Sequence, residues 1–264
     1  MNPMNRYSQI IEHVFFRHYE PQLDEVCFER DELVQAAQEL QAPLPKNLGD
    51  VIYTFRYRGS LPDSIRVTAP PGKEWLIRPA GRGRYCFVAS RLTTIAPTPG
   101  LADIKVPNAT PGILTRYALS DEQALLAIIR YNRLIDIFTR VVCYSLQSHL
   151  RTTVKGMGQI ETDEVYIGID NNGAHYVFPV QAKAGRDVIN VVQIEQDLAM
   201  CAAKFPGLIR RAIAAQFLGN ELIALFALEE TPHGVAIVSE RHYRLVPPEN
   251  LSAEELAAYR MSSL

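Results

Sequence analysis

The chain has 264 residues and a formal net charge of −2, with 47% hydrophobic and 21% charged residues. This composition is ordinary for a globular protein, and the sequence contains no internal repeat and no low-complexity tract. No apolar run is long enough to span a bilayer, and the N-terminus lacks a signal-peptide pattern. We therefore expect a soluble, cytoplasmic protein with no membrane partner.

The four cysteines, Cys27, Cys86, Cys143 and Cys201, are far apart and show no CxxC spacing. Widely separated cysteines without a motif are typical of free thiols in a reducing cytosol. The sequence therefore predicts neither zinc ligands nor disulfides.

The N-terminal region begins with two amphipathic segments, which predict helices over residues 7–19 and 28–40. A third helix is predicted over residues 46–58, after a short break that contains two prolines. Its apolar residues share one face, whereas Asn47, Asp50 and Thr54 lie largely on the other.

A basic hairpin follows these helices. Short strands are predicted over 74–77 and 85–88, joined by the turn RPAGRGR. Bases strongly outnumber acids between Lys46 and Arg91, and a local basic patch matters more for phosphate binding than the net charge of the whole chain. The arginines expected to contact DNA are Arg56, Arg58, Arg78, Arg82 and Arg84.

Helix, turn, helix and a basic-tipped hairpin over roughly residues 28–92 resemble a winged-helix domain. The resemblance implies that the third helix enters the major groove, where Asn47, Asp50 and Thr54 reach base edges, while the arginines contact the backbone. The alternative interpretation is a small α+β domain that binds protein or only supports the rest of the chain.

Residues 93–111 are rich in Pro, Thr and Ala, which is typical of a linker. We therefore predict an N-terminal domain over 1–95, a linker over 96–118 and a second domain over 119–264. The second domain begins with a capping box, Ser120 to Gln123, and a long helical pattern that runs to about His149. The polar stretch that follows contains His149, Arg151 and Lys155, which either touch DNA phosphates or are simply solvated.

The segment ETDEVYIGIDNNGAHYVFPVQAK, residues 161–183, predicts a β-hairpin. Its Asp-Asn-Asn-Gly turn tolerates positive φ. With Gly173 as the bulge residue, Asp170 faces Ala174, Asp163 faces Gln181, and Glu161 faces Lys183. Strand alternation then brings two carboxylates, an amide and an ammonium together at the open end of the hairpin.

An acid on one strand, followed by an acid-x-Lys on the next, resembles the PD-(D/E)XK nuclease pattern. Asp163 takes the place of the lone acid, and Gln181-Ala182-Lys183 takes the place of (D/E)-x-K. Gln181 departs from the pattern, because an amide binds metal more weakly than a carboxylate; Glu161 or Glu164 would restore the charge. A helix over 187–205 and a strand over 213–218 then continue in the order of that nuclease core.

The resemblance implies a restriction-endonuclease-like mixed α/β (α+β) sheet flanked by helices. It also implies Mg²⁺ bound by Asp163, Gln181 and Glu161, with Lys183 as the catalytic ammonium. In such nucleases the helix before the hairpin sometimes carries an acid toward the metal, and Asp136 is the best such residue in this chain. An Asp in such a helix is more often a salt-bridge partner of a residue such as Arg133 or Arg140, so Asp136 is not counted among the metal ligands.

Together, the two resemblances are typical of a type II restriction endonuclease that cleaves double-stranded DNA, commonly as a homodimer. Two alternatives stay open: a structure-selective repair or recombination nuclease, and a non-catalytic DNA-binding regulator on a decayed nuclease fold. Gln181 favours the regulator, whereas a base-reading domain argues against the structure-selective nuclease.

Overall fold

The computed structural model describes residues 5–44, 47–117, 122–185, 187–219, 221–232 and 234–262. Two compact units make up the chain. One comprises Met1–Ile95, Thr152–Ile160 and Asn190–Met200, and the other comprises Ala96–Arg151, Glu161–Ile189 and Cys201–Leu264. The fold is mixed α+β with a large mixed sheet flanked by helices, as predicted. Within the ranges given above, no helix has an apolar stretch that would cross a bilayer.

The first unit is a helical layer on a small antiparallel sheet with strand order β1-β3-β2. Its elements in chain order are α1 (Arg6–His18), β1 (Glu25–Glu29), α2 (Arg30–Glu39), α3 (Gly49–Tyr53), a π-helical turn (Thr54–Arg58), α4 (Asp63–Arg66), β2 (Glu74–Pro79), β3 (Arg84–Ser90) and β4 (Thr94–Ile95).

One apolar core holds this unit together. Phe15 on α1, Leu33 on α2 and Val51 on α3 pack in the same cluster as Trp75 and Phe87 of the sheet, and all five are buried. Burying large apolar side chains is the main favourable contribution to folding. The three predicted helices therefore exist because each presents one apolar face to this sheet.

Two helix boundaries differ from the prediction. The second helix begins at Arg30, because Phe28 and Glu29 belong to β1, and Glu29 and Glu32 form the capping box that opens the helix. The third helix begins only at Gly49 and changes to a π-helical turn at Thr54. Asn47 therefore precedes that helix, and Lys46 lies outside the described residues.

The prediction that all cysteines are free is wrong for two of them. Cys27 and Cys86 lie directly opposite each other on the antiparallel strands β1 and β3 and form a disulfide. The sequence hides this pairing, because its partners are 59 residues apart and only the strand register brings them together. Cys143 and Cys201 are free and buried. The cysteines consequently give no support to the cytoplasmic expectation.

The remaining elements are β5 (Asp103–Pro107), α5 (Gly112–Tyr117), α6 (Glu122–Tyr131), α7 (Leu134–Thr139), β6 (Val142–Val154), β7 (Gly158–Ile169), β8 (His175–Ala184), β9 (Ile189–Asn190), α8 (Val191–Lys204), β10 (Ile209–Arg210), β11 (Ala212–Phe217), β12 (Leu222–Thr231), β13 (Gly234–Val246), a 3₁₀ turn (Pro248–Asn250) and α9 (Ala253–Ser262).

The large sheet has the order β5-β13-β12-β11-β8-β7-β6, with β10 pairing β8 beside this path. The β7–β8, β11–β12 and β12–β13 pairs are antiparallel, whereas β11 joins β8 in parallel and β5 joins β13 in parallel. Helices α6 and α7 supply Leu125, Ile129 and Leu134 to the core on one face, against Phe178 and Leu225 of the sheet. The predicted order of hairpin, helix and strand is thus observed.

Two predictions for this region are wrong. Part of the predicted linker, residues 103–107, is strand β5, which extends the large sheet. The long helix expected from Ser120 to His149 is interrupted at Arg133 and Arg140, where φ is +50° and +58°, and the chain then forms strand β6. Periodicity alone does not separate one long helix from two short helices followed by a strand, and β6 is largely exposed. Ser120 and Asp121 of the predicted capping box lie outside the described residues.

Candidate functional site

The hairpin register is the one that the turn chemistry predicts. Strands β7 and β8 pair from Glu164 with Val180 to Ile169 with His175. At the turn, the Asp170 N–H donates to Ala174 O over 3.1 Å, and Gly173 has φ +80°, a conformation that favours glycine. The Asp170 carboxylate accepts the N–H groups of Asn172 and Ala174, so it caps the turn far from the open end.

At the open end of the hairpin, side chain to backbone hydrogen bonds join the two strands. Asp163 Oδ2 accepts the Ala182 N–H at 2.8 Å, and Gln181 Nε2 donates to Glu161 O at 3.1 Å. Gln181 is only 2% exposed. The structure therefore brings Asp163 and the Gln181-Ala182-Lys183 segment together, as the predicted register requires.

Lys183 adds a partner that sequence reasoning did not assign to the site. Its Nζ lies 3.2 Å from Oε1 of Glu122, the first described residue of helix α6. Glu122 carries a signal in the sequence, since it belongs to the predicted capping box, but nothing there links it to a lysine 61 residues later. Helix α6 thus delivers a carboxylate to the end of strand β8.

Electrostatics connect Asp163 to the same group of side chains. Burial raises the pKa of the Asp163 carboxyl, while the Ala182 N–H and the charge of Lys183 act to lower it. The negative charge of Glu122 raises that pKa further, and His149 opposes it. Lys183 is thus paired with Glu122, and the charges of both residues act on the pKa of Asp163.

Glu161 and the other acids considered for this site point elsewhere. The Glu161 carboxylate forms an ion pair with Arg151 at 2.9 Å, and His149 Nδ1 lies 3.9 Å from it. Glu164 is fully buried and pairs with Arg130. Asp136 pairs with Arg133 and accepts the Cys143 N–H at 2.9 Å, so it stabilises the start of β6 instead of facing the hairpin.

The donor set at the hairpin suits a hard cation. Carboxylate and amide oxygens are the ligands of Mg²⁺, which is usually held by one or two carboxylates plus water and phosphate. Asp163 and Glu122 supply two carboxylates to this site, and Gln181 is the adjacent amide. Across the described ranges, ligand atoms of three His, Cys, Asp or Glu residues converge only at Glu25, Cys27 and Cys86, where both sulfurs are already in the disulfide.

The predicted DNA-contacting arginines fall into different environments. Arg82 and Arg84 are exposed at the β2–β3 turn, and Arg84 lies 4.0 Å from Glu29. Arg78 donates two hydrogen bonds to Glu195, at 2.8 and 2.5 Å, and is therefore committed within the first unit. Arg56 stacks on Tyr57, and its Nε and Nη2 are buried without a hydrogen-bond partner. The Arg58 side chain lies outside the described atoms.

Of the three residues predicted to read bases, Asn47 precedes helix α3, Asp50 lies in its first turn, and Thr54 opens the π-helical turn that follows it. Asn47 and Asp50 are exposed, and Asn47 Nδ2 donates to Asp50 Oδ1 at 2.9 Å. Thr54 is half-buried, and its hydroxyl donates to Asp50 O at 2.7 Å. Asn47 and Asp50 thus form an exposed polar pair, whereas the Thr54 hydroxyl proton is already used by the helix backbone.

Comparison with known proteins found no matching family model. No curated protein and no solved structure was found to be similar to this chain.

Proposed function

We propose that the protein is a Mg²⁺-dependent endonuclease that hydrolyses phosphodiester bonds of double-stranded DNA at a specific sequence. The observation that carries the proposal is the juxtaposition of Asp163 with Gln181-Ala182-Lys183 across the β7–β8 register, with Lys183 paired to Glu122. Two carboxylates beside one ammonium are the groups that metal-assisted phosphodiester hydrolysis needs.

Each residue has a distinct role in this proposal. Asp163 and Glu122 would hold the metal, with the Gln181 amide beside them. A Mg²⁺ ion held there would supply polarisation of a phosphoryl oxygen and activation of a water molecule. Lys183 orients that water and stabilises negative charge that develops on the phosphate. The N–H of Ala182 fixes the Asp163 carboxylate, so the acid is positioned before substrate binds.

The first unit supports the DNA-binding part of the proposal. Its order of helices, with a hairpin whose turn carries exposed Arg82 and Arg84, is consistent with a winged helix that reads DNA with α3 and contacts the backbone with the turn. Phosphate contacts from such arginines supply affinity without sequence information. Asn47 and Asp50 are the residues that we expect to contact base edges.

A second candidate function is a non-catalytic DNA-binding regulator. The hydrogen bond from Gln181 Nε2 to the Glu161 carbonyl favours it, because this amide serves the backbone at the position where the nuclease pattern has an acid.

Cleavage of both strands would also require two sites, so the nuclease proposal carries the expectation of a homodimer.

The test is incubation of the purified protein with mixed-sequence plasmid DNA and Mg²⁺. Discrete fragments support the proposal, a smear indicates the structure-selective nuclease, and intact DNA indicates the regulator. Asp163→Ala and Lys183→Ala should each abolish cleavage and leave specific binding largely intact.

Asp170→Ala is the matched control for Asp163→Ala. Asp170 lies seven residues further along the chain, hence roughly 20 Å away at about 3.3 Å per residue. This variant should cleave normally. Loss of cleavage in Asp170→Ala, with full activity in Asp163→Ala, would show that the catalytic acid is Asp170, at the turn end of the strand, and not Asp163.

A further inference from the structure

Glu164 is a fully buried acid whose carboxylate holds one arginine in place. Its Oε1 accepts hydrogen bonds from Arg130 Nε at 3.1 Å, from Arg130 Nη2 at 2.7 Å and from Ser145 Oγ at 2.5 Å. Glu164 Oε2 and the Tyr166 hydroxyl are also buried, and within the described chain neither makes a well-formed hydrogen bond. Tyr166 belongs to the same cluster, since burial and the charge of Glu164 raise its pKa while Arg130 opposes that rise. All of these residues belong to the second unit.

Stability alone does not explain this arrangement. Moving a carboxylate and a guanidinium out of water is costly, and a buried ion pair repays that cost only when its remaining polar atoms are satisfied. Here one oxygen of the acid and a neighbouring hydroxyl are left without a well-formed hydrogen bond, and each unsatisfied buried group is destabilising. An apolar pair of similar volume would be the more stable solution, so a role for Arg130 is the better explanation.

Arg130 is oriented but not enclosed. Its side chain is 44% exposed, although two of its nitrogens are fixed by Glu164 and Nη2 also donates to Ser148 Oγ at 3.3 Å. No described group accepts a hydrogen bond from Nη1. A planar guanidinium that is fixed on one edge and open on the other is suited to bind a phosphate oxygen, because little side-chain freedom remains to be lost.

We propose that Arg130 binds a phosphodiester oxygen of the DNA backbone through Nη1 and that Glu164 and Ser148 position its guanidinium for this contact. This inference rests on the proposed function, since it assigns the same substrate a second contact on the unit that carries Asp163. Arg151 lies three residues beyond Ser148 on strand β6, about 10 Å along the strand, and is committed to Glu161. Arg130, which α6 places beside Ser148 of β6, is therefore the cation that we assign to the DNA backbone.

The experiment measures the affinity of the full chain for a fluorescein-labelled mixed-sequence duplex at several salt concentrations, in EDTA to prevent cleavage. The main variant is the double substitution Arg130→Gln with Glu164→Gln, which removes both charges and leaves two amides that can hydrogen-bond to each other. It therefore avoids the unpaired buried carboxylate that Arg130→Ala would leave. Arg210→Ala is the matched control, because Arg210 is an exposed arginine of the same unit that pairs with Glu230.

The double variant should bind roughly tenfold more weakly at low salt, as expected for one charge-assisted contact. Its plot of log affinity against log salt should be shallower by about 0.9. Glu164→Gln alone should weaken binding by a few fold without changing the slope, because Arg130 keeps its positive charge but is no longer held in position by a carboxylate.

Three results would overturn the inference. If the wild type binds DNA and the double variant binds with unchanged slope, Arg130 is structural and the nuclease proposal is unaffected. If the double variant changes the oligomeric state and not the slope, this part of β6 is an interface between copies of the chain. If the wild type does not bind duplex DNA at all, both this inference and the proposed function fail.

Discussion

The ammonium of Lys183 lies 3.2 Å from the carboxylate of Glu122, which joins the end of strand β8 to the first turn of helix α6. The same carboxylate acts on Asp163, whose pKa it raises. Glu122 therefore affects both of the residues on which the proposed chemistry depends, although it is not part of the hairpin.

Glu122→Gln should weaken Mg²⁺ binding by about tenfold or more, because the site loses one of two carboxylates that suit this ion. The amide can still accept a hydrogen bond from Lys183, so the fold should survive. The measurement is Mg²⁺ titration by calorimetry. Glu230→Gln is the matched control, since Glu230 also forms an ion pair, with Arg210, but lies away from the hairpin register. Equal Mg²⁺ affinity in both variants would assign the second ligand elsewhere.

Asp163→Asn should stabilise the protein at neutral pH in the absence of metal. Burial holds the pKa of Asp163 above its usual value of 3.8, so folding favours the protonated form, and ionisation destabilises the native state. The loss of stability develops as pH rises from that usual value through the raised pKa. The asparagine Oδ1 still accepts the Ala182 N–H, so the variant removes mainly the charge.

Thermal unfolding in EDTA between about pH 3.5 and pH 8 tests this prediction, since the usual pKa of an aspartate is about 3.9. The variant should gain stability over the wild type as pH rises and lose that advantage toward acid pH. Adding Mg²⁺ at neutral pH should reverse the order, because only the wild type retains the carboxylate. A variant that is equally destabilised at all pH values would indicate a packing role for Asp163.

The hairpin could be predicted from the sequence because its determinants are local. The Asn-Asn-Gly turn fixes the register, and strand alternation then places Asp163 opposite Gln181 without any information from the rest of the chain. Glu122 and the Cys27–Cys86 disulfide could not be found in this way. Each depends on an approach between elements distant in sequence, which only the packed core and the sheet order determine.

The wrong prediction of one long helix over 120–149 has a different cause. Arg133 and Arg140 adopt left-handed backbone conformations that non-glycine residues rarely occupy, so no propensity rule predicts a helix end there. Tertiary contacts compensate for them: Asp136 accepts the Cys143 N–H, and Cys143 is buried as β6 begins. The prediction that Asp136 is a salt-bridge partner of Arg133 is confirmed, and the residue serves the helix-to-strand connection.

Replacing Arg82 and Arg84 together by alanine should reduce affinity for duplex DNA and make the salt dependence shallower by about 1.8, as two phosphate contacts would be lost. Both arginines are exposed at the β2–β3 turn, so the fold should be unaffected. The measurement is binding of a labelled duplex across a range of salt concentrations.

Arg78→Ala provides the contrast. Its two hydrogen bonds to Glu195 tie β2 to helix α8, and Glu195 is itself half-buried. This variant should unfold at lower temperature with little change in the salt slope. If the salt dependence of DNA affinity became shallower in Arg78→Ala and stayed unchanged in the Arg82/Arg84 variant, the DNA contacts would lie away from the turn.

Gln181→Glu separates the nuclease from the regulator. Gln181 is buried, and its Nε2 donates to the Glu161 carbonyl oxygen at 3.1 Å. A glutamate there replaces that donor by a carboxylate oxygen facing a carbonyl oxygen, and it adds a negative charge near Asp163 and Glu122. In EDTA the variant should therefore be less stable than the wild type, and more so as pH rises and the new carboxyl ionises.

Mg²⁺ should change this result if the hairpin is a metal site. A bound cation neutralises the added charge and gains a third carboxylate ligand, so the variant should show a larger rise in unfolding temperature with Mg²⁺ than the wild type. Gln196→Glu is the control, because Gln196 is also buried and its side-chain oxygen also has a hydrogen-bond partner, the Tyr57 hydroxyl, but it belongs to the first unit and not to the hairpin. If Mg²⁺ rescues neither variant, or both equally, the end of the hairpin does not bind the ion, and the non-catalytic regulator becomes the better description of this protein.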